Sequence, residues 1–300
     1  MDKNLIQRSI TGAIFVVVLV GMLWLSAWTM FALFIAIAAL GLWEFYRLSE
    51  KTNVQPQKVY GTSLGVLLVV MAFLAKAWGT GMYLVLLLPL LFLPFFIELY
   101  RKKQNPFGNI GWTLLGILYV ALPLSMLVIT FTPYMLLRNY FQTGDFVPSS
   151  FTPAYQHGEI ITFFVLIWIS DTMAYVCGRL FGKHKLFERV SPKKTWEGYI
   201  GGLIFTGVAG FYIANLILYN NYNWHQEWIW TCTAVVISVT GTLGDLSESL
   251  FKRSIDVKDS GNILPGHGGI LDRFDALFLA TPFALTTYWI VSAAVNHRLF

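Results

Sequence analysis

Charge is scarce in this 300-residue chain. Only 12% of its residues are Asp, Glu, Lys or Arg, 56% are hydrophobic, and the mean hydropathy is +0.61. Soluble domains carry about 25% charged residues, so a water-soluble core protein is excluded as a class. Cysteine is nearly absent too: Cys177 and Cys232 are the 2 present. They are expected at opposite ends of different apolar spans, several helical turns apart in depth and too far for a disulfide. Neither stands in a metal-ligand spacing, which leaves both as small buried apolar residues. Histidine is held to 5, and the pattern H-E-x-x-H does not occur, so zincin chemistry is excluded. GRLFGKH at 178–184 falls short of a phosphate-binding P-loop. Its glycines are separated by three residues instead of four, and His follows the Lys where Ser or Thr is needed.

What is present is long apolar runs. No charged side chain occurs from Ile10 to Trp43, and a spanning helix needs roughly 20 apolar residues. That run fits two short helices joined by a tight turn near Ser26–Thr29, or one long hairpin, or a re-entrant turn. Nine spans are expected, at about 9–26, 29–47, 60–77, 80–99, 110–131, 159–180, 198–218, 228–250 and 275–296. With the N-terminus cytoplasmic, all of the 21 Lys and Arg except Lys76, Arg138 and Arg298 fall on the cytoplasmic side, as the positive-inside bias requires. The expected class is therefore all-α: a polytopic integral membrane protein with its N-terminus in the cytoplasm and Phe300 outside. The apolar run after MDKNLIQR is far longer than the 7–15 residues of a secretory signal core, so a retained first helix is expected. Basic loops are what topology demands, so the pI of about 9.1 says little about an anionic partner, and nucleic acid is not expected as one.

The polar residues divide the chain. Residues 1–131 read as a scaffold of five helices, with Glu44 and Glu98 near cytoplasmic helix ends. The pairs in GTSLG at 61–65 and GYIGG at 198–202 fit small-xxx-small packing, within the chain or between copies. Residues 132–158, broken by Pro133, Pro148 and Pro153, read as an outer loop. Residues 159–300 read as a catalytic region of four helices, with cytoplasmic loops 181–197 and 251–274. Here Asp171, Tyr175 and Arg179 follow at four-residue steps. Asp245, Glu248, Ser249 and Lys252 share one helical face, and Asp272 and Asp275 open the last span. An acid inside a membrane costs about 2.5–3.5 kcal/mol, so each should face protein or water. Asp171 and Asp245 could simply pair with Arg179 and Lys252 to hold helices together. Carboxylates on three helices at one membrane side, beside a glycine loop, suit a hard cation better. Mg2+ takes oxygen ligands and leans on substrate phosphates, and the hairpin over 251–271 makes Asp245, Asp272 and Asp275 neighbours.

Phosphate-type groups surround these acids. Lys252, Arg253 and Lys258 flank them and Arg273 sits within them, while GHGG at 266–269 offers N–H groups just before a helix N-terminus. In ERVSPKKTWEGYIGG, Ser191 is expected to cap a helix with Pro192 at its first position. Lys193, Lys194 and Thr195 would then occupy the first turn, as an anion site or as a basic patch at the membrane surface.

Residues 249–275, SLFKRSIDVKDSGNILPGHGGILDRFD, resemble the signature of the phosphatidate cytidylyltransferases. Its fixed positions are all filled: Ser249, Lys252-Arg253, Lys258-Asp259, Gly261, Leu264-Pro265, His267-Gly268-Gly269, Asp272-Arg273 and Asp275. The preceding GD at 244–245, D-x-x-A-Y at 171–175 and S-P-K-K-T-x-E-G at 191–198 are similar to the family as well. The resemblance implies transfer of a cytidylyl group from CTP to phosphatidate, giving CDP-diacylglycerol and pyrophosphate for phospholipid biosynthesis. It further implies an all-helical fold in the cell's inner membrane, facing the cytoplasm and paired as a homodimer. It implies Mg2+, with K+ as a second ion, at Asp245, Asp272 and Asp275.

The expected catalytic set is these three aspartates with Lys258, Arg273 and His267. The last is a phosphate hydrogen-bond donor, a loop-holding residue, or least plausibly an acid/base. The expected substrate-binding set is Asp171, Ser191, Lys193, Lys194, Thr195, Glu197, Ser249, Lys252, Arg253, Asp259, Gly268 and Gly269. Asp171 would act as a partner for a Lys or Arg. A phosphate monoester is already an anionic nucleophile, so no dedicated base is needed. Two rivals stand. A CTP-dependent polyprenol-type lipid kinase would need a base for its neutral hydroxyl. A cation-coupled transporter would explain intramembrane Asp171 and Asp245 but not the lack of an inverted repeat. The D-x-x-D-G-x-x-A-R pattern of CDP-alcohol phosphotransferases is absent.

Overall fold

A single residue separates the first two apolar helices. In the computed structural model, α1 runs over Lys3–Leu25 and α2 over Ala27–Ser49. Ser26 between them is extended (φ −168°, ψ 164°) and accepts the Thr29 N–H on its hydroxyl at 3.2 Å, while its own N–H donates to Thr29 Oγ1 at 3.1 Å. This reciprocal capping box satisfies N–H groups that a helix start otherwise leaves unpaired. The Ile10–Trp43 run is thus two helices, with the break at Ser26.

The structure describes residues 3–133, 155, 157–217, 224–261, 263 and 268–295. It divides into two units, Met1–His157 with Asp259–Arg273, and Gly158–Lys258 with Phe274–Phe300. The first adds α3 (Lys58–Trp78), α4 (Met82–Val85), α5 (Leu88–Arg101), α6 (Pro106–Gly116) and α7 (Leu122–Phe131), the last two joined by a π turn over Ile117–Ala121. Its helices close around Tyr46, whose hydroxyl donates to the Thr113 carbonyl at 2.7 Å. A Cβ at Gly61 or Gly116 would overlap the Tyr46 ring, and one at Gly65 would overlap Leu42. Buried Glu98 ties α5 to its neighbours, accepting from Gln57 Nε2 at 2.9 Å, Asn109 Nδ2 at 2.7 Å and Arg101 at 2.8 Å.

The second unit holds α8 (His157–Phe181), β1 (Lys185–Phe187), β2 (Ser191–Thr195), α9 (Trp196–Ile217), α10 (Trp224–Ser254) and most of α11 (Leu271–Val295). Small residues let these helices approach closely. A Cβ at Gly198 would sit 2.6 Å from the Ala174 carbonyl on α8, at Gly210 2.7 Å from the Trp230 carbonyl on α10, and at Gly244 2.8 Å from the Asp275 carbonyl on α11. Both small-xxx-small pairs are therefore spent inside the chain. Ser170 and Ser238 hydroxyls meet at 2.9 Å between α8 and α10, and Tyr288 on α11 donates to Glu159 on α8 at 3.0 Å.

A helix occupies each of the nine expected spans. Among the described residues seven helical segments are long and apolar enough to cross a membrane, and Ile10–Leu25 adds a shorter apolar one. The expected outer loop lies almost wholly outside the described residues.

One expectation is corrected. Ser191–Thr195 is not the start of a helix but an antiparallel strand paired with Lys185–Phe187. A residue preceding proline is pushed towards extended backbone, which suits Ser191 in a strand as well as at a helix cap, and pairing with Lys185–Phe187 decides for β2. The helix starts four residues later than expected, at Trp196, capped by Thr195, whose Oγ1 accepts the Gly198 N–H at 3.2 Å. In a strand successive side chains point to opposite faces. Lys193 and Lys194 are therefore separated, Lys193 exposed and Lys194 half-buried.

Candidate active site

Strand β2 aims Lys194 at α10, where its ammonium lies 2.5 Å from Asp245 Oδ2. Asp245 Oδ1 also accepts from Ser249 Oγ, one turn on, at 3.3 Å. The partner of Asp245 is thus Lys194 and not Lys252, which instead pairs with Glu248 at 2.5 Å. The two pairs differ in exposure. Lys194 and Asp245 keep 27% and 34% of their side-chain surface open, against 13% and 2% for Lys252 and Glu248. From α11, Asp275 lies within electrostatic reach of Asp245, Glu248 and Asp171, and Asp171 on α8 reaches Asp245 and Lys194. Three helices and a strand of the second unit thus bring four acids, Asp171, Asp245, Glu248 and Asp275, together with two lysines. Arg179 does not pair with Asp171; it donates to Tyr175 at 3.4 Å.

In the first unit Asp272 organises the glycine loop. Its Oδ2 accepts three hydrogen bonds at 2.8 Å, from the Ser260 N–H, the Ser260 hydroxyl and the Gly269 N–H. Gly268 has φ +82°, a conformation open chiefly to glycine, and a Cβ there would lie 2.5 Å from Asp272 Oδ2.

The sequence of this chain matches the cytidylyltransferase family over residues 6–291. The chain belongs to that family. Its relatives include a Pseudomonas aeruginosa phosphatidate cytidylyltransferase, 33% identical over 94% of this chain and 96% of the relative. One from Staphylococcus saprophyticus is 32% identical over 80% and 85%, and one from Staphylococcus aureus is 46% identical over 41% and 46%. This cytidylyltransferase is accordingly a nucleotidyltransferase with apolar helices suited to a membrane.

Other expected site residues of the cytidylyltransferase differ in exposure. Lys193, Arg253, Lys258, Asp259 and Arg273 are exposed, and Ser191 is half-buried in β2. Thr195 is buried beside Gly178 and Gly182, whose Cβ atoms would meet it or the backbone; the near-P-loop glycines serve packing. Glu197 staples the turn before β1, accepting from the Lys183 N–H at 3.1 Å, the His184 N–H at 3.2 Å and the His184 ring at 2.6 Å. That ring hydrogen bond first, then backbone N–H groups, pull its carboxyl from 4.5 to about 2. His267 lies outside the described residues, as do Leu264 and Pro265.

One residue of consequence was placed in the sequence only as an acid near a cytoplasmic helix end, with no site role. Glu44, near the end of α2, is 4% exposed, and its Oε2 accepts the Leu271 N–H at 3.0 Å and the Ser260 hydroxyl at 3.3 Å. Its signal was there to find, since an acid within an apolar span marks function by default.

Proposed function

We propose that this cytidylyltransferase moves the cytidylyl group of CTP onto phosphatidate, releasing pyrophosphate, with Mg2+ held at Asp245 and Asp275. The observation that carries the reading is a charge imbalance. With the four acids ionised, two lysines leave an excess of two negative charges, which one divalent cation matches. Like unit charges held close together repel by a few kcal/mol at an effective dielectric of ~20, so the cluster favours a cation. Among the described residues no three acidic, histidine or cysteine side chains close on one point. Mg2+ does not require that, because it keeps waters and uses one or two carboxylates with substrate phosphates. Asp245 and Asp275 fit that donor set. Asp272 as a third ligand and K+ as a second ion rest on the family resemblance. Bound there, Mg2+ would neutralise phosphate oxygens.

The chain's own residues do the rest. An oxygen of the phosphatidate monoester, already anionic, attacks the α-phosphorus of CTP, and the bond to the pyrophosphate oxygen breaks. Lys194 is held at the acids by Asp245, placed to take up phosphate charge. Lys193, Arg253, Lys258 and Arg273 share the charge of the two substrates, while Lys252 stays with Glu248, and His267 donates to a phosphate. The lipid reading draws support from a groove of about 570 Å³ between α10 and α11, lined by Val236, Val239, Thr240, Pro282, Phe283 and Thr286. At 1.5 Å per residue it begins roughly 8–10 Å along the helices from Asp245 and Asp275, where acyl chains below a bound headgroup would run. The active site faces the cytoplasm, where CTP is. A homodimer would need a surface other than the two glycine pairs.

Purified protein incubated with phosphatidate, Mg2+ and each nucleoside triphosphate in turn tests this. CTP should give pyrophosphate and a CDP-linked lipid in equal amounts. Release of CDP with a phosphorylated lipid alcohol would instead mean a lipid kinase. Asp275→Asn should cost roughly 10²–10³-fold or more in turnover with an unchanged elution profile; near-normal turnover would overturn the metal assignment.

A further inference from the structure

More than two hundred residues before the signature, Glu44 fills the inside of its loop. A Cβ at Gly261 would lie 2.5 Å from Glu44 Oε1, and one at Gly269 would overlap both Glu44 oxygens and the Ser260 hydroxyl. Gly261 does not have positive φ, so its backbone tolerates a side chain and the nearest obstacle is the Glu44 carboxylate. The hydroxyl of Ser260 lies between Glu44 and Asp272, 3.3 Å from one and 2.8 Å from the other, and the Leu271 N–H that opens α11 donates to Glu44. Among the described residues Glu44 Oε1 is buried with no hydrogen-bond partner. A surplus acceptor placed there at the cost of desolvation calls for a role beyond filling space.

We propose that Glu44 is the positioning residue of the signature loop. It is the fixed post around which Ser260, Gly261 and Gly269 fold, and it sets the start of α11 and the orientation of Asp272. It touches no substrate and acts through Asp272. The inference rests on the cytidylyl-transfer reading above, because its readout is that activity.

The test is a mutant cycle in the product assay with purified full-length protein. Glu44→Ala should lower kcat by about 10²-fold, the loss expected from a misplacement near 1 Å, with the KM for CTP moving less than about threefold. Glu44→Gln keeps an acceptor for Leu271 and should stay within about tenfold of the wild type. Gly261→Ala should be damaging alone, yet add little to Glu44→Ala, since the obstacle is then gone. If Glu44→Ala does not fold, Glu44→Asp decides, because withdrawing the carboxylate by one methylene should restore activity to Gly261→Ala. Multiplying effects, a silent Gly261→Ala, or a Gln variant as inactive as the Ala variant would overturn the proposal. A wild-type protein that makes no CDP-linked lipid would instead overturn the activity itself, which keeps the two failures apart.

Discussion

Two lysines bind two acids on the same helix region at the same distance, and their surroundings give them different work. Glu248 is buried and Lys252 largely covered, so the pair holds α10 in its place. Removing Lys252 alone would leave Glu248 charged and enclosed, a change that costs about 3–5 kcal/mol. Lys252→Met should therefore lower the melting temperature in detergent, and a second change, Glu248→Leu, should recover most of the loss. A Lys252→Met protein that melts like the wild type would show that the pair contributes nothing to stability. Lys194 and Asp245 stand open, where an ion pair adds little stability but can exchange partners for a cation and a phosphate. The sequence could mark all four residues. It could not choose the partners, because Lys252 lies seven residues from Asp245 and four from Glu248, and both separations fall on one helical face.

At the scale of elements, helices were legible wherever an apolar run was long, whereas the break between α1 and α2, left open among three arrangements in the sequence, is decided by the capping box at Ser26. The hairpin over 185–195 was not legible. Ser-Pro followed by two lysines satisfies a helix start locally, and only pairing with Lys185–Phe187 makes it a strand. Thr195 does the capping that Ser191 was expected to do. Glu197 secures this hairpin to α9, and its carboxyl sits at about 2 instead of 4.5. A carboxyl depressed in the folded state stabilises fully above its unfolded value and loses that contribution as pH falls towards the folded one. Melting temperatures of wild type and Glu197→Gln should thus differ at pH 5 and converge between pH 4.5 and about 2. A gap that persists unchanged at pH 2.5 would contradict the assignment.

For the whole molecule, spacing alone puts Asp272 and Asp275 on one turn as equivalents, yet each is engaged in its own unit. Asp272 is held by Ser260 and Gly269, while Asp275 faces Asp171, Asp245 and Glu248. Local pattern cannot show this, nor can it show that Glu44 lies against a loop 216 residues away, because long-range packing leaves no periodic trace in a sequence. The family resemblance marks candidate residues; the fold shows that Asp272 accepts from Ser260 and Gly269 and that Ser249 donates to Asp245. The central claim is that Asp245 and Asp275 hold the divalent ion, and binding of Mn2+ in place of Mg2+, followed by electron paramagnetic resonance in the presence of CTP, tests it most directly. Asp245→Asn and Asp275→Asn should each weaken Mn2+ binding by about tenfold or more, while Asp256→Asn, in the exposed loop after α10, should bind as the wild type does. Wild-type affinity in both Asn variants of the pair would contradict the account.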